Sequence, residues 1–328
     1  MAASPTQRWL VFNGDADGIC AAHQLRLAGL AADHLVTGVK RDILLLERVA
    51  AGPGDHVVVA DISLDSNRAH LNRLLDAGVR VDWYDHHHAG DIPAAALLSA
   101  HIDTDSETCS SLIVDGVIGG RFRHWAVAAA YGDNLHGAAA AAGRSLDAAN
   151  LAALRELGEL MNYNAYGDSV ADLHVPPAEL FARVATCADA LDFIHKDGLV
   201  AQLRTGFAED MARARAVAPL RQGALTMVLV LPHAAWSRRV NGVFANELAR
   251  ARADRAHAIL VDTGDGYVVS VRAPRADPRG ADVLCSGFAS GGGRAAAAGI
   301  NLLPARDLMR FVESFERAFG TPPGVARG

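Results

Sequence analysis

Trp9–Gly18 reads WLVFNGDADG. Four apolar residues run into a turn carrying two aspartates, and from Gly18 to Leu30 the apolar residues recur at helical spacing. The pattern returns twice. His56–Ala60 (HVVVA) is a β-branched run that ends at Asp61 and precedes a helix-like Ser66–Ala77, and Val79–Tyr84 (VRVDWY) ends at Asp85. Strands separated by helices of this length predict right-handed βαβ units and a mainly parallel, doubly wound α/β sheet.

In such a sheet the carboxyl ends of the strands line the crevice where ligands bind. Asp15 and Asp17 follow the first strand, Asp61 the second and Asp85 the third, so their side chains converge on one edge. Carboxylates gathered together repel one another, and a divalent cation relieves that repulsion. Oxygen donors with one or two imidazoles suit manganese or magnesium. The blander reading, that each aspartate only caps the following helix, fits Asp17 or Asp61 taken singly. It does not account for His86-His87-His88 directly after Asp85. Neighbouring side chains in extended backbone point to opposite faces. One of His86 and His87 is therefore free to bind metal while the other faces substrate or a supporting carboxylate. Asp133, after the apolar run Trp125–Ala130, is the next candidate ligand.

Outward from this core, about Leu151 to Ala218 is mostly helical in pattern, with a break near Val175-Pro176-Pro177. A second α/β pattern then begins. Ala224–Leu231 reads as a strand and Val243–Arg252 as a helix, while Ala258–Val261 and Tyr267–Arg272 are strands around a turn at Asp265-Gly266. The expected organisation is a catalytic domain over 1–190, a helical connector over 191–223 and a smaller α/β domain over 224–328. A length of 328 residues leaves room for two cores. The net charge of −6 argues against binding long duplex DNA. Cys20, Cys109, Cys187 and Cys285 form no CxxC pair, so neither a disulfide framework nor a zinc knuckle is expected. MAASPTQRW has neither a basic nor an apolar leader segment, and no apolar stretch approaches the ~20 residues that span a bilayer. A soluble, cytoplasmic protein with no membrane partner is expected.

These residues together resemble the DHH phosphoesterases that carry a C-terminal DHHA1 domain, over most of the chain. Asn13-Gly14-Asp15-Ala16-Asp17-Gly18 is similar to the first motif in the form found in single-strand exonucleases, and Asp61 in VVVADIS to the second. Asp85-His86-His87 resembles the namesake third motif, and Asp133 the fourth. GGGRAAAAG, from Gly291 to Gly299, resembles the GGGH-x-x-A-A-G signature, with Val269–Arg272 similar to the strand before it.

The resemblance implies two manganese ions, with magnesium as the alternative, in a cleft between the domains. Asp61 would bridge them, Asp15 would hold one, and Asp17, His86 and Asp133 the other. Asp85 and His87 would be catalytic, His87 facing the substrate phosphate. Two such ions lower the pKa of a water between them and clamp the attacking and leaving oxygens. Gly291, Gly292 and Gly293 would form a loop offering backbone N–H groups to a phosphate, with Arg294 and Arg272 adding forked contacts. Two features depart from the family pattern. Val11 stands where many members have a metal-binding histidine, with Asn13 where exonuclease-like members have an aspartate. Asn13, counted with the substrate-binding residues, is expected either to coordinate weakly through its oxygen or only to orient a water, and the two ions should bind unequally. Arg294 replaces the GGGH histidine and, being always charged, can bind a phosphate but not exchange a proton.

The expected function is hydrolysis of phosphodiester bonds in short single-stranded nucleic acid or small nucleotides. The alternatives are a pyrophosphatase-like phosphoanhydride hydrolase and a catalytically weak nucleotide-binding sensor. Whether the chain forms a homodimer stays open at this level.

Overall fold

Residues 6–320 are described by the computed structural model of the chain, which divides into two units, Met1–Gly206 and Phe207–Gly328. The first unit begins with β1 (Arg8–Phe12), α1 (Ala16–Leu27), β2 (His34–Thr37), β3 (His56–Ala60), α2 (Arg68–Asp76), β4 (Arg80–Asp85) and β5 (Leu98–Ile102). These strands pair in the order β2-β1-β3-β4-β5, every pairing parallel. Helices α3 (Ser110–Val117), α4 (Arg123–Gly132), α5 (His136–Ala142), α6 (Ala148–Ala165), α7 (Pro177–Val184) and α8 (Ala190–Lys196) follow, and α9 (Leu199–Arg215) runs across the division.

Alternation along the strands splits the core between two faces. Val11, Val57, Val59, Val81 and Trp83 pack with Leu71 and Leu74 of α2. Leu10, Phe12, Val58 and Ala60 are also buried, on the other face, where Phe12 meets Phe181 of α7 at 4.8 Å between ring centroids. The sheet is therefore covered on both sides, as the doubly wound pattern requires. Val11 is fully buried in the α2-side cluster, so that position sends a hydrocarbon into the core and no ligand toward the strand ends. The strand order reverses between β1 and β3, which opens a crevice at their carboxyl ends.

Two strands of this sheet are additions to the sequence pattern. β2 is an edge strand of four residues, and β5 is half-buried along its length with no alternation to read. Each matters for the site, because the segments that follow them carry Lys40 and Ser110.

The second unit contains β6 (Arg221–Gln222), β7 (Thr226–Leu231), α10 (Ala235–Ala251), β8 (Ala256–Asp262), β9 (Gly266–Arg272), α11 (Ala281–Ser286), β10 (Gly291–Arg294), β11 (Ala297–Pro304) and α12 (Leu308–Phe319). Its six-stranded sheet runs β10-β11-β9-β8-β7-β6, with β7 and β8 parallel and the other pairs antiparallel. Phe311, Phe315 and Phe319 of α12 fill the core of this unit. The helix expected from Val243 begins earlier, at Ala235. The glycine-rich stretch expected as a loop is instead the edge strand β10, paired with β11. Close packing explains two of its three glycines. A Cβ on Gly291 would lie 1.9 Å from the Cys285 carbonyl oxygen, and one on Gly293, at φ +140, would lie 2.5 Å from the Ala298 Cα. A Cβ on Gly292 would meet nothing within 4 Å. No helix among the described residues is long and apolar enough to cross a membrane.

Candidate metal centre

Asp61 leaves β3 with φ +57, a left-handed conformation, and its N–H donates to the Tyr84 carbonyl at the end of β4 (2.9 Å). The side chain is 3% exposed and accepts from Ser110 Oγ at 3.2 Å. Asp17, in the first turn of α1, is fully buried. The N–H groups of Ser110 and Ser111, at the start of α3, donate to its two oxygens at 2.7 and 2.8 Å. These two N–H groups at the start of α3 fix the orientation of the Asp17 side chain.

His86 follows β4. Its Nδ1 lies 3.1 Å from the Thr108 carbonyl. A carbonyl only accepts, so Nδ1 carries a hydrogen, and Nε2 is the nitrogen whose lone pair a metal would take in place of a proton. That Nε2 faces Asp61 Oδ1 at 3.5 Å and Asp133 Oδ2 at 3.9 Å, Asp133 being the cap at the end of α4. Donor atoms of Asp17, His86 and Asp133 lie within 4.8 Å of one another, and so do those of Asp61, His86 and His87. The sets share one histidine.

The charges behave as a cluster assembled for a cation. Burial, then the charges of Asp15 and Asp17, pushes the Asp61 carboxyl well above its usual range. Burial with Asp17 and Asp15 raises Asp133 to about 7, against the opposing charges of Lys40 and His86. Burial alone would lower the His86 imidazole. The hydrogen bond to Asp61 and the charges of Asp17, Asp61 and Asp133 outweigh it and carry His86 to about 10. Asp85 is fully buried, and its Oδ2 has no hydrogen-bond partner among the described residues. Carboxylate oxygens around an imidazole whose far nitrogen is held by a backbone carbonyl fit a divalent ion.

Asp15 belongs to neither set, although its carboxyl is hydrogen-bonded to that of Asp61. It caps α1, with Oδ1 accepting from the Gly18 N–H at 3.0 Å, and Oδ2 accepts from Lys40 Nζ at 2.5 Å. Burial would raise this carboxyl, but the Lys40 charge and hydrogen bond, helped by Gly18, hold it below its usual range. Lys40, Asn162, Ser110 and Ser111 are site residues that the motifs do not announce. The available signal was positional, since Lys40 follows the end of a strand beside β1.

The other expected residues are placed as follows. Asn13 is buried with its amide committed at both ends, Oδ1 accepting from the Asp15 N–H (3.2 Å) and Nδ2 donating to the Lys40 carbonyl (3.1 Å). His87 is half exposed, and its Nδ1 pairs with Asp85 Oδ1 at 2.7 Å. Arg272, Gly291, Gly292, Gly293 and Arg294 belong to the second unit. Arg272 Nε donates to Asn246 Oδ1 at 2.7 Å, and Arg294 is exposed.

No family model and no curated protein sequence matches the chain. Solved structures do. The chain is similar to exonuclease RecJ bound to manganese, with 18% identity and a TM-score of 0.53 over 95% of this chain and 89% of that one. It is similar to the DHH domain of a member of a family of ribosomal proteins, with 14% identity and a TM-score of 0.64 over 95% and 86%. A pGpG-specific phosphodiesterase from Vibrio cholerae matches with 13% identity and a TM-score of 0.51 over 94% and 97%. In its two α/β units and its parallel first sheet, the chain has the fold of the DHH/DHHA1 phosphoesterases.

Proposed function

We propose that the protein is a metal-dependent phosphoesterase that hydrolyses phosphodiester bonds in short oligonucleotides or small nucleotides. The observation that carries this reading is the convergence of Asp17, Asp61, His86 and Asp133, from four different segments, at the carboxyl edge of the parallel sheet. A divalent ion held there supplies Lewis-acid polarisation of a phosphoryl oxygen and lowers the pKa of a water. The chain's own groups do the rest. His86 and Asp61 would hold the ion, and the N–H groups at the start of α3 orient Asp17. Asp85 fixes the His87 ring through Nδ1, which leaves His87 Nε2 to contact the phosphate or to hold a proton for the departing oxygen. In the second unit, Gly292 and Arg294 offer an open backbone and an exposed guanidinium for a further phosphate.

The fold neighbours support the ion and the substrate class, one being an exonuclease bound to manganese and another a pGpG-specific phosphodiesterase. The four cysteines are unpaired and buried, which is in keeping with a reducing, cytoplasmic setting. The test is a manganese-supplemented screen of oligoribonucleotides, oligodeoxynucleotides, cyclic dinucleotides, adenosine bisphosphate and pyrophosphate. Turnover of a short nucleotide that disappears in His86→Ala is the expected result. Hydrolysis of pyrophosphate alone would move the protein to the phosphoanhydride class, and no turnover of any compound would refute the reading.

A further inference from the structure

We infer that the Lys40 ammonium permanently fills the place of a second cation, so that the centre works with one divalent ion and one lysine. This rests on the metal-dependent reading above and deepens it. Lys40 Nζ has three hydrogens to donate, and three oxygens from three segments receive them. Asp15 Oδ2 lies at 2.5 Å, Asn162 Oδ1 at 3.0 Å and Asp133 Oδ1 at 3.4 Å. The Tyr166 ring lies beside it, its centroid 5.7 Å from Nζ.

The backbone that delivers this ammonium is closely held. The Lys40 N–H donates to the Ala165 carbonyl at 3.1 Å, and its own carbonyl accepts from Asn13 Nδ2 at 3.1 Å. A Cβ on Gly14 would sit 1.9 Å from the Gly38 carbonyl oxygen, so the turn after β1 and the turn after β2 touch through bare backbone. Asn13 is thereby a positioning residue for Lys40. A neutral amide suits that task, because its Nδ2 must donate to a carbonyl and a carboxylate cannot.

The remaining donors make room for one ion. Both groups of metal-ligating side chains depend on His86, whose Nδ1 is spent on Thr108, and a single Nε2 lone pair serves one ion. Asp133 stands between the two charges, with Oδ1 toward Lys40 and Oδ2 toward His86. Its carboxylate links an ammonium and a metal, as a bridging carboxylate links two metals. Val11, which points into the core, adds no ligand on the Asp15 side.

The experiment counts ions on the full chain. Chelator-stripped protein is titrated with manganese, with free ion followed by electron paramagnetic resonance and heat by calorimetry. One equivalent is expected for the unaltered protein, and two for Lys40→Ala, where Asp15, Asp133 and Asn162 become available to an ion. Two equivalents in the unaltered protein, or one in a folded Lys40→Ala, overturns the inference. If Lys40→Ala does not fold, anomalous diffraction from manganese-soaked crystals of the unaltered protein decides. One peak beside His86, with Nζ still on Asp15, supports the inference, and a second peak at Asp15 overturns it. No uptake by any form would instead remove the metal centre itself.

Discussion

Asp61 holds a left-handed backbone that costs a residue with a Cβ on the order of 1–2 kcal/mol. It also buries a carboxyl that burial and its neighbours push toward protonation. Without metal, then, its charge works against the fold. Asparagine tolerates the same backbone and removes the charge, so metal-free Asp61→Asn should melt at the same temperature as the unaltered protein or higher. Its manganese affinity should fall by roughly ten-fold or more if Asp61 is a ligand of the proposed ion. Asp15→Asn should do the reverse. Asp15 is stabilised as a carboxylate by Lys40, so losing the charge lowers the melting temperature while manganese uptake beside His86 largely persists. Thermal melts without metal and calorimetric titrations with it check both variants. A destabilised Asp61→Asn that still binds manganese tightly would contradict this assignment.

At the scale of elements, the glycines of β10 divide into two kinds. Gly291→Ala would force a Cβ against the Cys285 carbonyl and should destabilise the second unit by several kcal/mol, visible as a lower denaturation midpoint. Gly292→Ala meets open space and should leave that midpoint within about 0.5 kcal/mol. If the strand receives a substrate phosphate, Gly292→Ala raises KM and leaves kcat nearly alone. Unchanged KM would make β10 a purely structural edge. The same contrast shows what the sequence could and could not disclose. Asp15, Asp17, Asp61 and the Asp85-His86-His87 run were legible because each follows a β-branched or aromatic strand with its chemistry immediately adjacent. Lys40 was not, since its three acceptors lie 25, 93 and 122 residues away and β2 is too short and too exposed to flag its own end. Ser110 and Ser111 were hidden behind the unpatterned β5 for the same reason. Gly291–Gly293 suggested a loop because glycine is rare inside strands, whereas the deciding fact was contact with Cys285 and Ala298.

Across the whole molecule, each unit encloses one histidine kept neutral by its surroundings. His23 lies under Trp125 with Nε2 donating to the Cys187 carbonyl (2.8 Å), and His257 is buried in β8. Burial, with nearby arginines, lowers both imidazoles from 6.5 to about 4. Above pH 6.5 neither state is protonated and stability is unaffected. As pH falls from 6.5 toward 4, the unfolded chain takes up protons that the folded chain refuses, so stability declines. At pH 5 the loss is about 2 kcal/mol for each histidine. Asp61 and Asp133 shift with the opposite sign in metal-free protein, so the effect is isolated by difference. The stability of the unaltered protein relative to His23→Gln, from urea unfolding, should be about 2 kcal/mol lower at pH 5 than at pH 8. His257→Gln should behave likewise. A pH-independent difference would mean that these rings protonate in the folded state.

The hold on Lys40 by Asn13 and Ala165 bears on how the protein responds to scarcity. Below saturation, the fraction of molecules carrying two dissociable ions falls with the square of the free concentration, while the fraction carrying one falls in simple proportion. A charge tethered by its own peptide bonds never has to be recruited from solution. With one divalent ion beside Lys40, as inferred above, activity would fade linearly as the ion is withdrawn, where a paired centre would go dark.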